Sequence, residues 1–250
     1  MRKRFTIAFI LAAVCISACR SSLDADGTGF VRFGVIEDPS VTDAVSPAVR
    51  SNLLSLVDSL PGENDFVLTV FRDDSELWSG MLPDWPVRKR IPIKGCKVTA
   101  SCGTGEEGYC KPVLTGEQMI VIAGFDTTDV TVTVRLANCL VKAGFSETFT
   151  SYFPTHEVKI TTGAGNEFFF DEDGDEPAFI DPYRFSATCA CINQGGADVS
   201  LGPFAYDNLK AGVCYTLYFD VKNIGTTSVT VSVSLDDIEE EIDLGIIELN

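Results

Sequence analysis

Histidine is almost absent from this 250-residue sequence, and His156 is its single example. A zinc site built from several imidazoles is therefore excluded. The sequence also lacks the G-x-S-x-G segment that forms the nucleophile turn of α/β-hydrolases. Nothing marks a serine and a carboxylate as partners of His156 in a catalytic triad. We therefore expect that the protein is not an enzyme, because activity must be argued from a site.

Positive charge is scarce as well. The chain has 19 Lys and Arg residues against 36 Asp and Glu residues, which gives a formal net charge of −17. Such a surface repels the phosphates of nucleic acid and anionic lipid headgroups. The basic stretch Arg88–Arg90 is too short to form a nucleic-acid patch, so no nucleic-acid partner is expected. A hydrophobic content of 45% with 22% charged residues is typical of a folded chain.

A long apolar run is the third missing feature. The apolar run Phe5–Val14 is shorter than the roughly 20 residues that span a bilayer. It follows the basic residues Arg2–Arg4 and precedes Ile16–Cys19, which is the order found in a secretory signal. We therefore assign residues 1–18 to a signal peptide and residues 19–27 to a polar tether.

The tetrad Ile16–Cys19 resembles the lipobox of bacterial lipoproteins. The resemblance implies cleavage before Cys19 and acylation of that cysteine, with palmitate-like chains holding the body on a membrane. Each buried CH₂ contributes about 0.8 kcal/mol, so two or three chains anchor firmly. We expect a lipoprotein of the cell envelope at the outer membrane, exposed on the cell surface, although the leaflet stays open. The alternative is an ordinary cleaved signal with an incidental cysteine.

Alternation of apolar and polar residues predicts β-strands along most of the chain. The clearest case is Asp129–Leu136, in which every second residue is Val or Leu. The predicted strands are Phe30–Ile36, Phe66–Phe71, Leu77–Trp78, Cys96–Cys102, Met119–Ala123, Asp129–Leu136, Val158–Thr162, Glu167–Phe170, Phe185–Cys191, Val213–Lys222, Thr227–Leu235 and Leu244–Leu249. Many short alternating strands between turn residues indicate an all-β fold of the sandwich type.

One segment has the spacing of a helix instead. Ser46-Pro47 can begin a helix, and Val49, Leu53, Leu56 and Leu60 follow at helical intervals. The alternative is a crossover loop, so the fold contains at most one short helix.

Two segments are similar to each other and indicate an internal repeat. Ile93–Ala100 and Leu209–Leu217 both place an apolar residue and Lys, then Gly, before an alternating strand. Glycine permits a turn at positive φ before such a strand. The repeat predicts two tandem β-sandwich domains, at residues 28–125 and 126–250.

Three segments carry a family resemblance: Val98–Gly103, Val134–Asn138 and Cys214–Tyr218. They resemble β-sandwich lipoproteins of gut commensals that have no known function and are fimbrillin-like in style. The resemblance implies transthyretin-like or Ig-like sandwiches, a structural or adhesive role, and association by an added β-strand. Gly245–Asn250 could act as an edge or donor strand, and the resemblance supplies no catalytic residue.

The acidic segment Asp171–Glu176 is the sharpest candidate for a metal site. Asp171, Asp173 and Asp175 supply the oxygen ligands that Ca²⁺ prefers. The segment departs from an EF-hand loop, because its twelfth position is Pro182 rather than Glu. A solvated acidic turn explains it equally well, and no other cofactor is expected.

Trp78 and Trp85 are the candidate ligand-binding residues. They flank a short Gly- and Pro-containing loop, and exposed aromatic rings there could stack on sugars. This predicts, as the alternative function, a glycan-binding surface lipoprotein that accompanies an outer-membrane uptake system. Packing of both rings into the core is the competing interpretation.

Seven cysteines remain in the predicted mature chain once Cys15 leaves with the signal and Cys19 is acylated. They are Cys96, Cys102, Cys110, Cys139, Cys189, Cys191 and Cys214. An exported location permits disulfides, and an odd number leaves one thiol over. Cys102 and Cys110 flank a glycine-rich loop and could be bridged, whereas burial as small apolar residues is the alternative. Cys189 and Cys191 share one face of a strand, but a thiolate metal site would need two further thiols.

Overall fold

The computed structural model describes residues 27–44, 50–57, 59–122, 127–171, 176–224, 229–235 and 238–243. Its strands are β1 Thr28–Glu37, β2 Ser40–Asp43, β3 Arg50–Asn52, β4 Val67–Arg72, β5 Ser75–Met81, β6 Arg90–Pro92, β7 Cys96–Cys102, β8 Gly108–Tyr109, β9 Leu114–Ile120, β10 Thr127–Leu136, β11 Cys139–Phe145, β12 Thr155–Thr162, β13 Glu167–Phe170, β14 Ala178–Ile180, β15 Arg184–Ile192, β16 Asp198–Asp207, β17 Val213–Ile224, β18 Val229–Leu235 and β19 Ile238–Asp243. Helix α1 spans Glu147–Tyr152, and short 3-10 turns lie at Leu53–Ser55, Glu63–Asp65 and Leu82–Asp84.

The described strands form three sheets. The seven-stranded sheet has the order β5-β4-β7-β9-β10-β1-β6. The eight-stranded sheet has the order β19-β18-β17-β11-β14-β8, and β2 and β3 join it at β17. The four-stranded sheet has the order β13-β12-β15-β16. No helix in the part of the chain that the structure describes is long and apolar enough to cross a membrane.

Two hydrophobic cores lie between these sheets. The first core is built on the inner face of the seven-stranded sheet by Val31, Leu68, Val70, Val98, Val132 and Val134. The second core fills the space between the four-stranded and eight-stranded sheets with Val158, Ile160, Ala187, Cys189, Leu217 and Phe219. Burial of this apolar surface is the main stabilising contribution, at about 25 cal/mol per Å² removed from water.

The eight-stranded sheet contributes to both cores. In β11, Leu140 belongs to the first core, whereas its neighbours Cys139 and Val141 belong to the second. Phe179 of β14 and Cys214 of β17 likewise face the first core. Successive residues of a strand point to opposite faces, so these strands form a wall between the cores. The prediction of an all-β fold with two sandwiches and at most one short helix is confirmed, and the two sandwiches share this sheet.

The helix predicted after Ser46 is not found in the described part of that segment. Arg50–Asn52 is strand β3, which pairs with β2, and Leu53–Ser55 is a single 3-10 turn. Pairing with β2 outweighs the helical spacing, and residues 45–49 lie outside the described residues. The α-helix is α1 instead, where the Ser146 hydroxyl caps the helix by accepting a hydrogen bond from the Phe149 N–H at 3.0 Å.

The predicted domain boundary at residues 125 and 126 lies outside the described residues. The strand that follows it, β10, was assigned to the second sandwich by that prediction. In the structure β10 lies in the seven-stranded sheet between β9 and β1, because its valines alternate into the first core. After β10 the chain continues into the eight-stranded sheet at β11, and β2, β3 and β8 from earlier in the chain also belong to that sheet.

Strand β9 approaches β10 very closely at one residue. A Cβ atom built on Gly116 would overlap the carbonyl oxygen of Thr133, so only glycine fits there. The two strands pair at Arg135 with Thr115 and at Leu136 with Leu114. The ladder has no further pair between β9 and β10 in the described residues, although the two strands remain neighbours in the sheet.

Candidate functional site

The Trp85 side chain lies in the first core rather than on the protein surface. It is 6% exposed, and its indole N–H donates to the carbonyl of Val31 at 2.8 Å. The ring packs edge-on against Phe33 and Trp78, with centroids 4.8 and 5.0 Å away. A ring enclosed in this way cannot present a face to a sugar, so the prediction that Trp85 binds a ligand is corrected. Trp78 is half-buried against the same core, and the two rings do not form an exposed pair.

Only one of the three candidate calcium ligands lies in the described part of the chain. Asp171 is exposed at the end of β13, whereas Asp173 and Asp175 lie outside the described residues. Within the described ranges, no three His, Cys, Asp or Glu side chains are arranged to hold a metal ion. The calcium site stays a prediction. Cys19 and Gly245–Asn250 also lie outside the described residues.

The single histidine is enclosed by aromatic rings. His156 is 6% exposed, its Nδ1 lies 2.8 Å from the carbonyl oxygen of Phe153, and its ring packs 4.2 Å from Phe145. Its Nε2 has no hydrogen-bond partner among the described atoms. A general acid or base must reach the substrate proton. The His156 side chain is almost wholly buried, although the residue lines the edge of a surface cleft.

The thiols are mostly buried. Cys102 and Cys110 are thiols rather than a disulfide, and Cys110 is exposed. Burial raises the pKa of the Cys139 thiol to about 12. Cys189 Sγ lies 3.3 Å from Cys191 Sγ, and this hydrogen bond, followed by burial, raises the pKa of Cys189. Because the thiolate is the reactive form, Cys139 and Cys189 are poor nucleophiles.

The loop between β7 and β8 leads from the seven-stranded to the eight-stranded sheet, and Tyr109 of β8 contacts the edge strand β13 of the four-stranded sheet. The Tyr109 hydroxyl donates to the Phe169 carbonyl at 2.8 Å and accepts from the Phe169 N–H at 2.9 Å. The Tyr109 hydroxyl therefore occupies both backbone hydrogen-bonding groups of Phe169. Without it, the edge strand β13 would be open to pairing with another strand at Phe169. Burial raises the pKa of the Tyr109 hydroxyl.

Glu107, in the loop between β7 and β8, has a carboxylate that accepts three hydrogen bonds. One carboxylate oxygen, Oε2, accepts from the Thr162 hydroxyl at 2.6 Å and the Asn166 amide at 2.7 Å. The other, Oε1, accepts from the Asp181 N–H at 3.0 Å. No local sequence pattern marks this contact, because the partners of Glu107 lie 55 to 74 residues away along the chain.

Two clefts lie on the four-stranded sheet, away from the first core. The larger has a volume of about 640 Å³, and its lining includes His156, Glu157, Asp171 and Asp198. The smaller has a volume of about 280 Å³ and is lined by Thr161, Thr162, Gly163, Arg184, Phe185, Ser186, Ala205 and Asp207. The strand register places Thr161 opposite Ser186 and places Arg184 opposite Asp207. No sequence pattern marks the residues of the smaller cleft, since their assembly depends on that register.

A third cleft, of about 360 Å³, lies on the surface beside β9 and β10. Met119 and Val121 line it and are 61% and 78% exposed. Asp129 and Thr131 of β10 line its other side. Apolar side chains this exposed beside a cleft are a feature of interaction surfaces.

Comparisons with known proteins give one family match. The model of the family described as "Domain of unknown function (DUF4493)" matches residues 90–247, which is more than half of the chain. The match begins in β6 and continues beyond β19, so it includes strands of all three sheets. No curated protein is significantly similar to the chain.

Several solved structures resemble the chain weakly. A candidate polysaccharide-binding protein of Bacteroides thetaiotaomicron is 10% identical, with 87% of this chain and 98% of that chain covered and a TM-score of 0.39. A candidate cell adhesion protein of Bacteroides ovatus is 11% identical, with coverage of 90% and 99% and a TM-score of 0.40. A fimbrial protein of Bacteroides ovatus is 9% identical, with coverage of 81% and 52% and a TM-score of 0.38. Likeness at this level carries no argument about this chain.

Proposed function

This chain belongs to the DUF4493 family, and from that premise we propose that it is a structural or adhesive protein of the cell envelope rather than an enzyme. The near-complete burial of His156 supports the proposal that the protein is not an enzyme, because the chain has no other imidazole for acid-base catalysis. The raised pKa of Cys139 argues against that thiol as a nucleophile in the same way.

The observation that carries the adhesive role is the exposed apolar pair Met119 and Val121 beside β10. In the described residues, the ladder pairing of β9 with β10 ends at Thr115, and the two exposed side chains border the cleft beside it. A partner segment that enters this cleft would cover both apolar side chains. Extended segments bind proteins in this way by adding main-chain hydrogen bonds to a sheet.

Site-specific photo-crosslinking in the native envelope tests this role. A photoreactive residue at Met119 should give a defined adduct with an envelope protein or a second copy. The matched control is Ile36, which is 59% exposed on β1 of the same sheet. Adducts at both positions, or at neither, would contradict the proposal.

The proposed location rests on the N-terminal sequence. Cys19 would be acylated and hold the body on the outer membrane, with the acidic surface facing away from anionic lipid. A fatty-acid probe should label the wild-type chain and leave Cys19→Ser unlabelled. Label that persists in the serine variant would refute the anchor.

A second candidate function is glycan binding by the anchored protein beside an uptake system. The observation that favours it is the smaller cleft on the four-stranded sheet, which places a guanidinium, a carboxylate and hydroxyl groups together. Because Trp85 is buried, this candidate function does not rely on the two tryptophans. The smaller cleft also separates the glycan candidate from the adhesive role, because the two use different sheets.

A further inference from the structure

We infer that the smaller cleft, which we name the Arg184 cleft after Thr161, Arg184, Ser186 and Asp207, binds a neutral, hydroxyl-rich carbohydrate. This inference rests on the second candidate function above and assigns it a site and a ligand class. The cleft volume of about 280 Å³ is at the small end of ligand pockets, which begin near 300 Å³. It suits one sugar ring of a longer chain.

Two hydroxyl groups lie across the middle of the cleft. Thr161 of β12 is directly opposite Ser186 of β15, and Ser186 is opposite Ala205 of β16. The small Ala205 side chain leaves the space above this row open. Each hydroxyl can donate one hydrogen bond and accept two, so the row can bind sugar hydroxyls in either sense.

A cation and an anion lie side by side in the next row. Arg184 is directly opposite Asp207, yet no ion pair joins them within 4 Å in the described chain. The guanidinium lies instead 5.5 Å from the centroid of the Tyr183 ring, where a cation–π contact orients it. A planar guanidinium and a carboxylate can each form two parallel hydrogen bonds, which matches adjacent hydroxyls on a sugar ring.

Tyr183 supplies an aromatic surface beside these polar groups. The side chain is 65% exposed, so the ring is accessible to a ligand. Gly163 permits this arrangement, because a Cβ atom there would lie 3.1 Å from both Tyr183 Cδ1 and Arg184 Cγ. An aromatic ring beside hydrogen-bonding groups can contact the C–H face of a sugar while its hydroxyls are bound.

Charge selects a neutral ligand. Arg184 and Asp207 carry opposite charges that offset each other in the cleft, and the formal net charge of −17 on the whole chain disfavours an acidic sugar. The larger cleft is a poorer match, since its lining carries the carboxylates of Glu157, Asp171 and Asp198 without Lys or Arg. The guanidinium and carboxylate together therefore distinguish the Arg184 cleft.

The test is binding of the full chain to a microarray of neutral gluco-, manno-, galacto-, xylo- and N-acetylglucosamine oligosaccharides, with sulfated and uronic-acid oligosaccharides as charged comparisons. Titration calorimetry with the best neutral oligosaccharide follows. Arg184→Met, Asp207→Asn and Tyr183→Ala should each weaken binding by about 10-fold to 100-fold, as expected when hydrogen bonds to charged groups or an aromatic contact are lost. The matched control is Asp198→Asn. Asp198 lies on the same strand as Asp207 and is also exposed, and this variant should bind like the wild type.

The outcomes separate the site from the function. Neutral binding that is lost in the three cleft variants and kept in Asp198→Asn supports the inference, provided that their unfolding temperatures match the wild type. Neutral binding that survives all three cleft variants overturns the site and leaves glycan binding in place. Preference for charged oligosaccharides overturns the ligand class. No binding to any oligosaccharide overturns both the inference and the glycan candidate, and leaves the β9–β10 crosslinking result unaffected.

Discussion

Replacing Glu107 with glutamine should weaken the contact between the β7–β8 loop and the four-stranded sheet. The carboxylate accepts three hydrogen bonds, from Thr162, Asn166 and Asp181. A glutamine amide presents one oxygen and one NH₂ group. In one orientation the NH₂ faces the Asn166 amide, and in the other it faces the Asp181 N–H, so a donor meets a donor in either case.

The expected loss follows from these contacts. A hydrogen bond to a charged group contributes about 1.5–3 kcal/mol, and Glu107 is half-buried, so we expect Glu107→Gln to lower the free energy of unfolding by about 2 kcal/mol. For a chain of this length that corresponds to a fall of about 4–8 °C in the unfolding temperature. Thermal unfolding followed by circular dichroism measures it directly.

Glu106→Gln is the matched control. Glu106 is the neighbouring residue, is exposed, and pairs with Lys111 at 2.8 Å. Exposed ion pairs contribute little to stability, so its loss should shift the unfolding temperature far less. If both variants shift it equally, or if Glu107→Gln leaves it unchanged, the loop does not hold the sheets as described.

Three further predictions address the thiols, acid stability and strand approach. Under native conditions a maleimide should modify the exposed Cys110 and spare buried Cys139 until denaturant is added, as read by peptide mass mapping. Hydrogen bonds, the largest from Ser40, lower the pKa of Asp38, so its stabilisation is present above about pH 4 and is lost as pH falls through the lowered value. The difference in urea midpoint between wild type and Asp38→Asn should therefore shrink from pH 7 to pH 2, and a constant difference would contradict this. Gly116→Ala should unfold at a much lower urea concentration than the wild type, because its Cβ overlaps a backbone oxygen; an unchanged midpoint would show that β9 and β10 can move apart.

Alternation predicted strands well where one face is buried and the other is in water. In β10, Val130, Val132, Val134 and Leu136 are buried and the residues between them are not. Strand β11 was missed because Cys139–Val141 is buried on both faces, which removes the alternation. Within the shared wall, periodicity therefore predicted β17 and missed β11, with which β17 pairs.

Site residues were harder to predict than strands. A tryptophan beside a loop is compatible with a ligand-binding site and with a core. Only the side chains that surround Trp85 show that it belongs to the core. Arg184 and Asp207 are 23 positions apart and meet through the β15–β16 register. That register includes an irregularity after Ala187, opposite Gly202 in β16, where a Cβ atom would lie 2.8 Å from the Ala187 carbonyl oxygen. No single-sequence pattern fixes such an offset.

The two cores share one wall, in which Leu140, Phe179 and Cys214 face the first core and their strand neighbours face the second. The chain therefore cannot be divided between the two cores. A fragment that ends before β11 would expose apolar side chains of the first core, and a fragment that begins there would present Leu140 and Phe179 to water. Neither half is expected to be expressed as a soluble piece, so truncation cannot be used to assign activities to separate regions.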